Sequence, residues 1–178
     1  MKRGAVVLVT VISALSLSAC GGGDEGSETT SPSEWADSLC TSLGEWKSSI
    51  ESTAASFAGG NLSQQQVQNA VDDASNATET LVGELQDLGR PDTEGGQEAQ
   101  DSLDQLSEEL QTGIGEAERA AAGVSSTADA AQAAASIRST FTSMAGQLTS
   151  TFMSLDQSQG ELKSALDQSD ACNDLKSS

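Results

Sequence analysis

Hydrophobic residues recur at steps of three and four along most of the chain, the spacing that puts side chains on one face of an α-helix. The first stripe of this kind comprises Trp35, Leu39, Leu43, Trp46, Ile50 and Phe57, with Ala54 in the gap. The second comprises Val67, Val71, Ala74, Thr78, Leu81, Leu85 and Leu88. Each stripe predicts an amphipathic helix whose apolar face is buried against other elements.

Two more stripes follow in the second half of the chain. The third comprises Ala99, Leu103, Leu106, Leu110, Ile114, Ala117 and Ala121. Gly113 and Gly115 fall inside it, and each weakens a helix by about 1 kcal/mol relative to alanine. The fourth comprises Ala134, Ile137, Phe141, Met144, Leu148, Phe152 and Leu155, and it runs on in phase to Leu162 and Leu166. The pattern therefore predicts four helices, the last with a tail beyond Gly160.

Residues with capping preferences mark the ends of these helices. Ser31 with Glu34, and Ser63 with Gln66, have the form of capping boxes, and Pro32 suits a first helical position. Asp92 or Thr93 is the expected cap of the third helix. The expected stops are Gly59-Gly60, Gly89 ahead of Pro91, and Gly123.

Short connections between these helices favour an antiparallel arrangement within the chain. We therefore predict an all-α fold, an antiparallel up-down-up-down four-helix bundle with a short C-terminal helical segment. A longer coiled-coil rod shared with a partner is the alternative for the same stripes. The low content of large aliphatic residues would suit a disordered chain, but their placement on stripes favours a folded one.

Composition and charge exclude several kinds of chemistry. The 178 residues include 27 acidic and 8 basic side chains, a net charge of −19, and no histidine. Without histidine there is no Ser/His or Cys/His catalysis and no His-ligated metal, and an acidic chain lacks the basic surface that nucleic acids require. We expect no enzymatic activity, no cofactor, no metal and no nucleic acid. Solvated helix faces explain the carboxylate clusters, which are Asp72-Asp73, Asp92 with Glu94, Glu108-Glu109 and Glu116 with Glu118.

The N-terminus has the form of an export signal. Lys2 and Arg3 precede an apolar stretch, residues 5–17, which leads into Leu17-Ser18-Ala19-Cys20. This run resembles the bacterial lipobox, and the resemblance implies acylation of the Cys20 thiol and cleavage before Cys20. An ordinary secretory signal with a chance cysteine is the alternative. We therefore expect a lipoprotein signal peptide at 1–19, a flexible tether at 20–33, rich in Gly, Ser and acids, and a helical domain at 34–178.

Two cysteines remain after Cys20, and export would place them in an oxidising compartment. An even pair there predicts a Cys40–Cys172 disulfide, with two free thiols as the alternative. If the fourth helix stayed straight, Cys172 would lie some 20 Å beyond the bundle, too far from Cys40 to pair. The cysteines therefore favour a reversal of the chain near Gly160, whereas the in-phase Leu162 and Leu166 would suit an unbroken helix.

A second resemblance, carried by short motifs, covers most of the chain after Cys20. The chain is similar to a group of small actinobacterial helical lipoproteins of unassigned function in the run Trp35-Ala36-Asp37-Ser38-Leu39-Cys40, then Trp46, then Ala171-Cys172-Asn173-Asp174-Leu175. The resemblance implies a helical bundle held by a disulfide, and it implies nothing about a ligand.

These observations together predict a lipid-anchored protein on the extracytoplasmic face of a bacterial cell membrane. The expected function is that of a non-enzymatic interaction or cell-envelope module with a protein partner. The alternative is a carrier or sensor that holds a small apolar, lipid-like ligand inside the bundle. In that case Trp35 and Trp46 would line a pocket, and room would be left by small residues, namely Ala54, Ala74, Gly113 and Ala117.

Overall fold

The computed structural model describes residues 29–57 and 62–177, and these residues form an all-α fold. Four long helices are α1 (Pro32–Ser56), α2 (Gln64–Asp87), α3 (Gly96–Ala122) and α4 (Thr127–Asp156). Two short helices follow, α5 (Glu161–Gln168) and α6 (Asp170–Ser177). A two-residue strand β1 (Thr29–Thr30) pairs in parallel with β2 (Arg90–Pro91). The predicted helical class is confirmed.

The four predicted stripes form one continuous hydrophobic core. Every stripe residue is buried except Ala54 and Leu88, which are half-buried and pack against the same core. Leu162 and Leu166 of α5 belong to it as well, at 2% and 0% exposure. The periodicity therefore identified the buried face of each long helix.

Consecutive helices pack most extensively against each other, α1 on α2, α2 on α3 and α3 on α4. Two side chains show the direction of the first pair. The indole of Trp35, near the start of α1, donates to the carbonyl of Gly89 just beyond α2 at 3.0 Å, and that of Trp46 donates to Thr78 at 3.0 Å. The later residue of α1 therefore contacts the earlier residue of α2, which makes the two helices antiparallel.

The predicted helix ends are confirmed in part. Ser63 and Gln66 form the full capping box, and Gly89 takes a positive φ of 67° where α2 stops. Ser31 is the N-cap residue of α1, but its hydroxyl donates to the Glu34 carboxylate at 2.6 Å and caps no backbone N–H. The capping box predicted at Ser31 is therefore wrong. Gly59-Gly60 lies outside the described residues.

Helix α3 starts later than the sequence predicts. Neither Asp92 nor Thr93 caps it, because the backbone N–H of Thr93 donates to Pro91 and that of Gly96 donates to Thr93, which makes a turn before the helix. A Cβ at Gly96 would overlap the carbonyl oxygen of Pro91, so glycine lets the helix begin against this turn. The observed N-cap position is Gly95, which offers no side chain.

The strand pair ties the segment before α1 to the connection between α2 and α3. Thr30 accepts a backbone hydrogen bond from Asp92 at 2.9 Å, and its hydroxyl donates to the Leu88 carbonyl at 2.9 Å. The fold therefore includes Thr29–Ser33, which the sequence analysis assigned to the tether. Residues 20–28 of that predicted tether lie outside the described residues.

Candidate functional site: a groove along α1

Cys40 and Cys172 lie at disulfide distance, as the sequence predicted. Their sulfur atoms are 2.01 Å apart and their Cα atoms 4.9 Å apart. Cys40 lies in α1 and Cys172 in α6, and both are almost fully buried. The bond therefore joins the last helix of the chain to the first.

The reversal predicted near Gly160 brings Cys172 back to α1. Helix α4 ends at Asp156, and Gly160 takes a φ of 81°, a conformation that favours glycine. Helix α5 begins at the next residue, and a second break at Ser169 separates it from α6. Both short helices pack on α1, so the C-terminal segment is two helices where the sequence suggested one.

Ion pairs fix the position of α6 from its other end. The Lys176 ammonium lies 2.7 Å from an Asp156 oxygen and 3.2 Å from an Asp167 oxygen, and Lys163 lies 2.9 Å from Asp167. Hydrogen bonds from Lys163 and then Lys176 hold the pKa of Asp167 below its usual range. The hydrogen bond to Asp156 raises the pKa of Lys176.

Trp35 and Trp46 are core residues. Their exposed fractions are 0% and 2%, and each indole N–H has a hydrogen-bond acceptor. Thr78, the acceptor for Trp46, donates in turn to the Ala74 carbonyl at 2.8 Å. This chain of bonds explains a hydroxyl on an otherwise apolar stripe.

The space beside Gly113 is filled by the neighbouring helix. A Cβ at this glycine would lie 2.8 Å from both Cγ and Sδ of Met144 in α4. Gly113 therefore accommodates Met144, so the room expected at this glycine is occupied by protein. Gly115, two residues further along α3 and therefore on another face, has nothing within 4 Å of the same position.

The carboxylate clusters singled out in the sequence lie mainly on the surface. Asp72, Asp73, Asp92, Glu94, Glu108, Glu116 and Glu118 are exposed, and Glu109 is partly exposed. Glu118 accepts a hydrogen bond from Ser75 of α2 at 2.8 Å. Within residues 29–57 and 62–177, no three Cys, Asp or Glu side chains come together as a metal site would require.

A broad depression on the described surface runs along the outer side of α1. It has a volume of about 1130 Å³ and is bounded by α2 on one side and α6 on the other. Small side chains line most of it, and they include Gly44, Ser48, Ser52, Ala77 and Ala171. We call this surface the α1 groove. The hydrophobic pattern does not indicate this groove, although Gly44, Ser48 and Ser52 recur at steps of four on the face opposite the stripe.

Carboxylates dominate the charge of the α1 groove. Glu45 and Glu51 of α1, Asp73 of α2 and Asp174 of α6 line it together with Lys47. The Lys47 ammonium lies 3.9 Å from the Glu51 carboxylate. The arrangement offers hydrogen-bonding groups and negative charge, and it suits contact with a cationic surface.

Cys20, the expected site of lipid attachment, precedes the described residues. In the part of the chain that the structure covers, no helix combines the length and the apolar character needed to span a bilayer. Comparisons with protein-family models, curated proteins and solved structures find no match to this chain.

Proposed function

We propose that this protein is a lipid-anchored lipoprotein of the bacterial cell envelope whose helical domain binds a protein partner. The observation that carries the binding role is the α1 groove, a concave surface of small and acidic side chains on a rigid helix. In a chain without histidine, the hydroxyls of Ser48 and Ser52 have no imidazole to form a Ser–His pair. The proposed function is accordingly one of contact with a partner.

The proposed location rests on the N-terminal sequence. The lipobox-like run ending at Cys20 follows a positive and an apolar segment, as in exported lipoproteins. Two or three acyl chains hold a protein stably at a membrane, whereas one does so only marginally. The domain would then face the extracytoplasmic side, where the Cys40–Cys172 disulfide is stable.

The proposed fold in its finer form is an antiparallel up-down-up-down four-helix bundle with α5 and α6 as its C-terminal segment. Two contacts support it beyond the α1–α2 pair. The Arg138 guanidinium of α4 donates to the Phe57 carbonyl at the end of α1 at 2.9 Å, and the rings of Phe57 and Phe141 lie 6.4 Å apart. Helix α4 therefore meets α1, which would close the ring of four helices.

Metabolic labelling tests the anchor. When cells that express the full chain are grown with a fatty-acid probe, the protein should become labelled. Cys20→Ala should abolish the label and leave uncleaved precursor. Cys40→Ala is the matched control, since it removes a cysteine that should carry no lipid. Label on the Cys20→Ala protein would contradict the proposed anchor.

Crosslinking in intact cells tests the partner. The lipidated full chain should crosslink reproducibly to a defined envelope protein, and the crosslinks should reach residues of the helical domain. Recovery of the chain alone, or with a non-reproducible set of proteins, would contradict the binding role while leaving the anchor intact.

A further inference from the structure

The shape of the α1 groove matches the size of a short helix. Its residues run from Cys40 to Thr53 along α1, a length of about 20 Å at the helical rise of 1.5 Å per residue. A helix of roughly four turns has that length. Two packed helices lie closer together when the side chains at their contact are smaller, and Gly44, Ser48 and Ala77 are small. A second helix lying along α1 could therefore approach closely.

The wall formed by α6 is held in place independently of any ligand. The Cys40–Cys172 bond fixes one point of α6 to α1, and the Lys176 pairs with Asp156 and Asp167 fix its end. The groove is therefore formed before a partner arrives, which lowers the entropic cost of binding.

The charge of the groove selects the kind of partner. Four carboxylates line it against the single cation of Lys47, counted among the described residues. Acidic side chains occur elsewhere on this surface too, but a concave site with low-dielectric walls concentrates the field of its charges. A basic segment would find both a complementary potential and a complementary shape there.

We infer that the α1 groove docks a lysine- or arginine-rich helix of the partner protein. This inference rests on the proposed binding role and adds the location of the site and the chemistry of its occupant. The apolar side of the bound helix would lie over Gly44, Ser48 and Ala77. Its basic residues would reach Glu45, Asp73 and Asp174 at the rim.

A direct binding measurement tests the inference on the full chain purified from membranes. The probe is a fluorescent helical peptide of alanine with lysines along one face, about four turns long. Gly44→Leu should weaken binding by about tenfold or more, as expected when a central contact of an interface is blocked. A Cβ at Gly44 meets nothing within 4 Å, so the backbone has room for a side chain to begin there, and circular dichroism checks that the variant keeps its helical fold. Gly115→Leu in α3, where a Cβ also meets nothing, is the matched control and should bind as the unmodified chain does.

Charge reversal provides a second and independent variant. Glu45→Lys with Asp73→Lys should weaken binding by a similar factor, and Asp104→Lys with Glu108→Lys, two exposed positions of α3, should leave it within about twofold. Equal losses of affinity in the two double variants would show that the peptide is attracted to the overall charge of the protein, and this would overturn the inference. Complete displacement of the peptide by spermidine at the same concentration of positive charge would also overturn the inference, because a small polycation would then bind as well as a helix does.

The outcomes separate this inference from the proposed function. A cellular partner whose crosslinks lie outside the α1 groove, or reach it through an acidic segment, would overturn the groove assignment and leave the binding role standing. Failure of the lysine peptide to bind the full chain would also overturn it. A basic helical segment crosslinked to residues 44–52, and lost in Gly44→Leu, would support it.

Discussion

At the residue scale, the polar groups of the core occupy positions that hydrophobic periodicity does not explain. Thr78 is 1% exposed and lies on an apolar stripe, where valine would have the same shape. Its hydroxyl accepts from Trp46 across the α1–α2 interface and donates to Ala74. The sequence places both residues in the core, but only the packing of two helices shows that they need each other.

Thr78→Val should destabilise the protein by about 1–3 kcal/mol, because it leaves the buried indole N–H of Trp46 without an acceptor. Urea unfolding followed by circular dichroism measures the change. Thr80→Val is the control, since Thr80 also bonds the carbonyl four residues earlier but is exposed. A loss no greater for Thr78→Val than for Thr80→Val would contradict the role given to this pair.

Gly113 and Gly115 should respond in opposite directions to the same substitution. Gly115→Ala should stabilise α3 by about 1 kcal/mol, the difference in helix propensity. Gly113→Ala should cancel that gain or reverse it, because its methyl group would meet Met144 at 2.8 Å. The unfolding midpoints of the two variants measure this difference. Equal stabilisation by both substitutions would contradict the prediction, because it would show that Met144 moves aside freely.

At the element scale, the sequence predicted the features that depend on residues close in the chain. The buried faces, the Ser63–Gln66 capping box and the stop at Gly89 all follow from local spacing and backbone preference. The start of α3 could not be predicted this way, because Gly96 fits against Pro91 and Pro91 is held by Thr30 from another part of the chain. The α1 groove also depends on how α6 folds back, which the cysteines indicated but the hydrophobic pattern did not.

Breaking the disulfide should destabilise the domain substantially. The sequence separation of 132 residues gives an upper value of about 5 kcal/mol from loop entropy. Denaturant unfolding with and without reductant measures the difference, and Cys40→Ser with Cys172→Ser should behave as the reduced chain does. A non-reducing peptide map should contain the Cys40–Cys172 peptide, and its absence would contradict the pairing.

The Asp167 ion pairs should make the C-terminal helices sensitive to acid. Because the folded-state pKa of Asp167 is lowered, its contribution is complete above its ordinary value of 3.8 and is lost as the pH falls through the folded value. The free energy of unfolding of the Asp167→Asn variant should therefore fall less than that of the unmodified chain as the pH is lowered from 5 to 3. Thermal unfolding across this range measures the slope, with Asp104→Asn as the control. Identical slopes for Asp167→Asn and the unmodified chain would contradict a stabilising role.

At the scale of the whole molecule, the dominant feature is unbalanced negative charge. The net charge is −19, and removal of Lys2 and Arg3 with a signal peptide would take it to −21. Ion pairs of Lys47, Lys163 and Lys176 offset a small part of it. The folded domain brings the remaining carboxylates close together, and their repulsion opposes compaction.

Added salt should therefore stabilise the folded state. The screening length falls from about 30 Å at 0.01 M to about 10 Å at 0.1 M, which removes most repulsion between distant surface charges. The urea midpoint should rise over this range of NaCl. A variant with Glu108→Gln, Glu109→Gln and Glu116→Gln should respond less. A midpoint that does not change with salt would mean that the acids are compensated locally.

With the proposed lipid on Cys20, the strand pair of Thr29 and Thr30 would limit how far the domain can stand from the membrane. Nine residue steps separate Cys20 from Thr29, a reach of at most about 30 Å in an extended chain. Since Thr29 is held beside Arg90, a lipid on Cys20 would keep this end of the molecule within that distance of the membrane surface. The α1 groove begins at Cys40, about 12 Å along α1 from Pro32. A partner seated at the start of the groove would therefore bind within about 50 Å of the lipid headgroups.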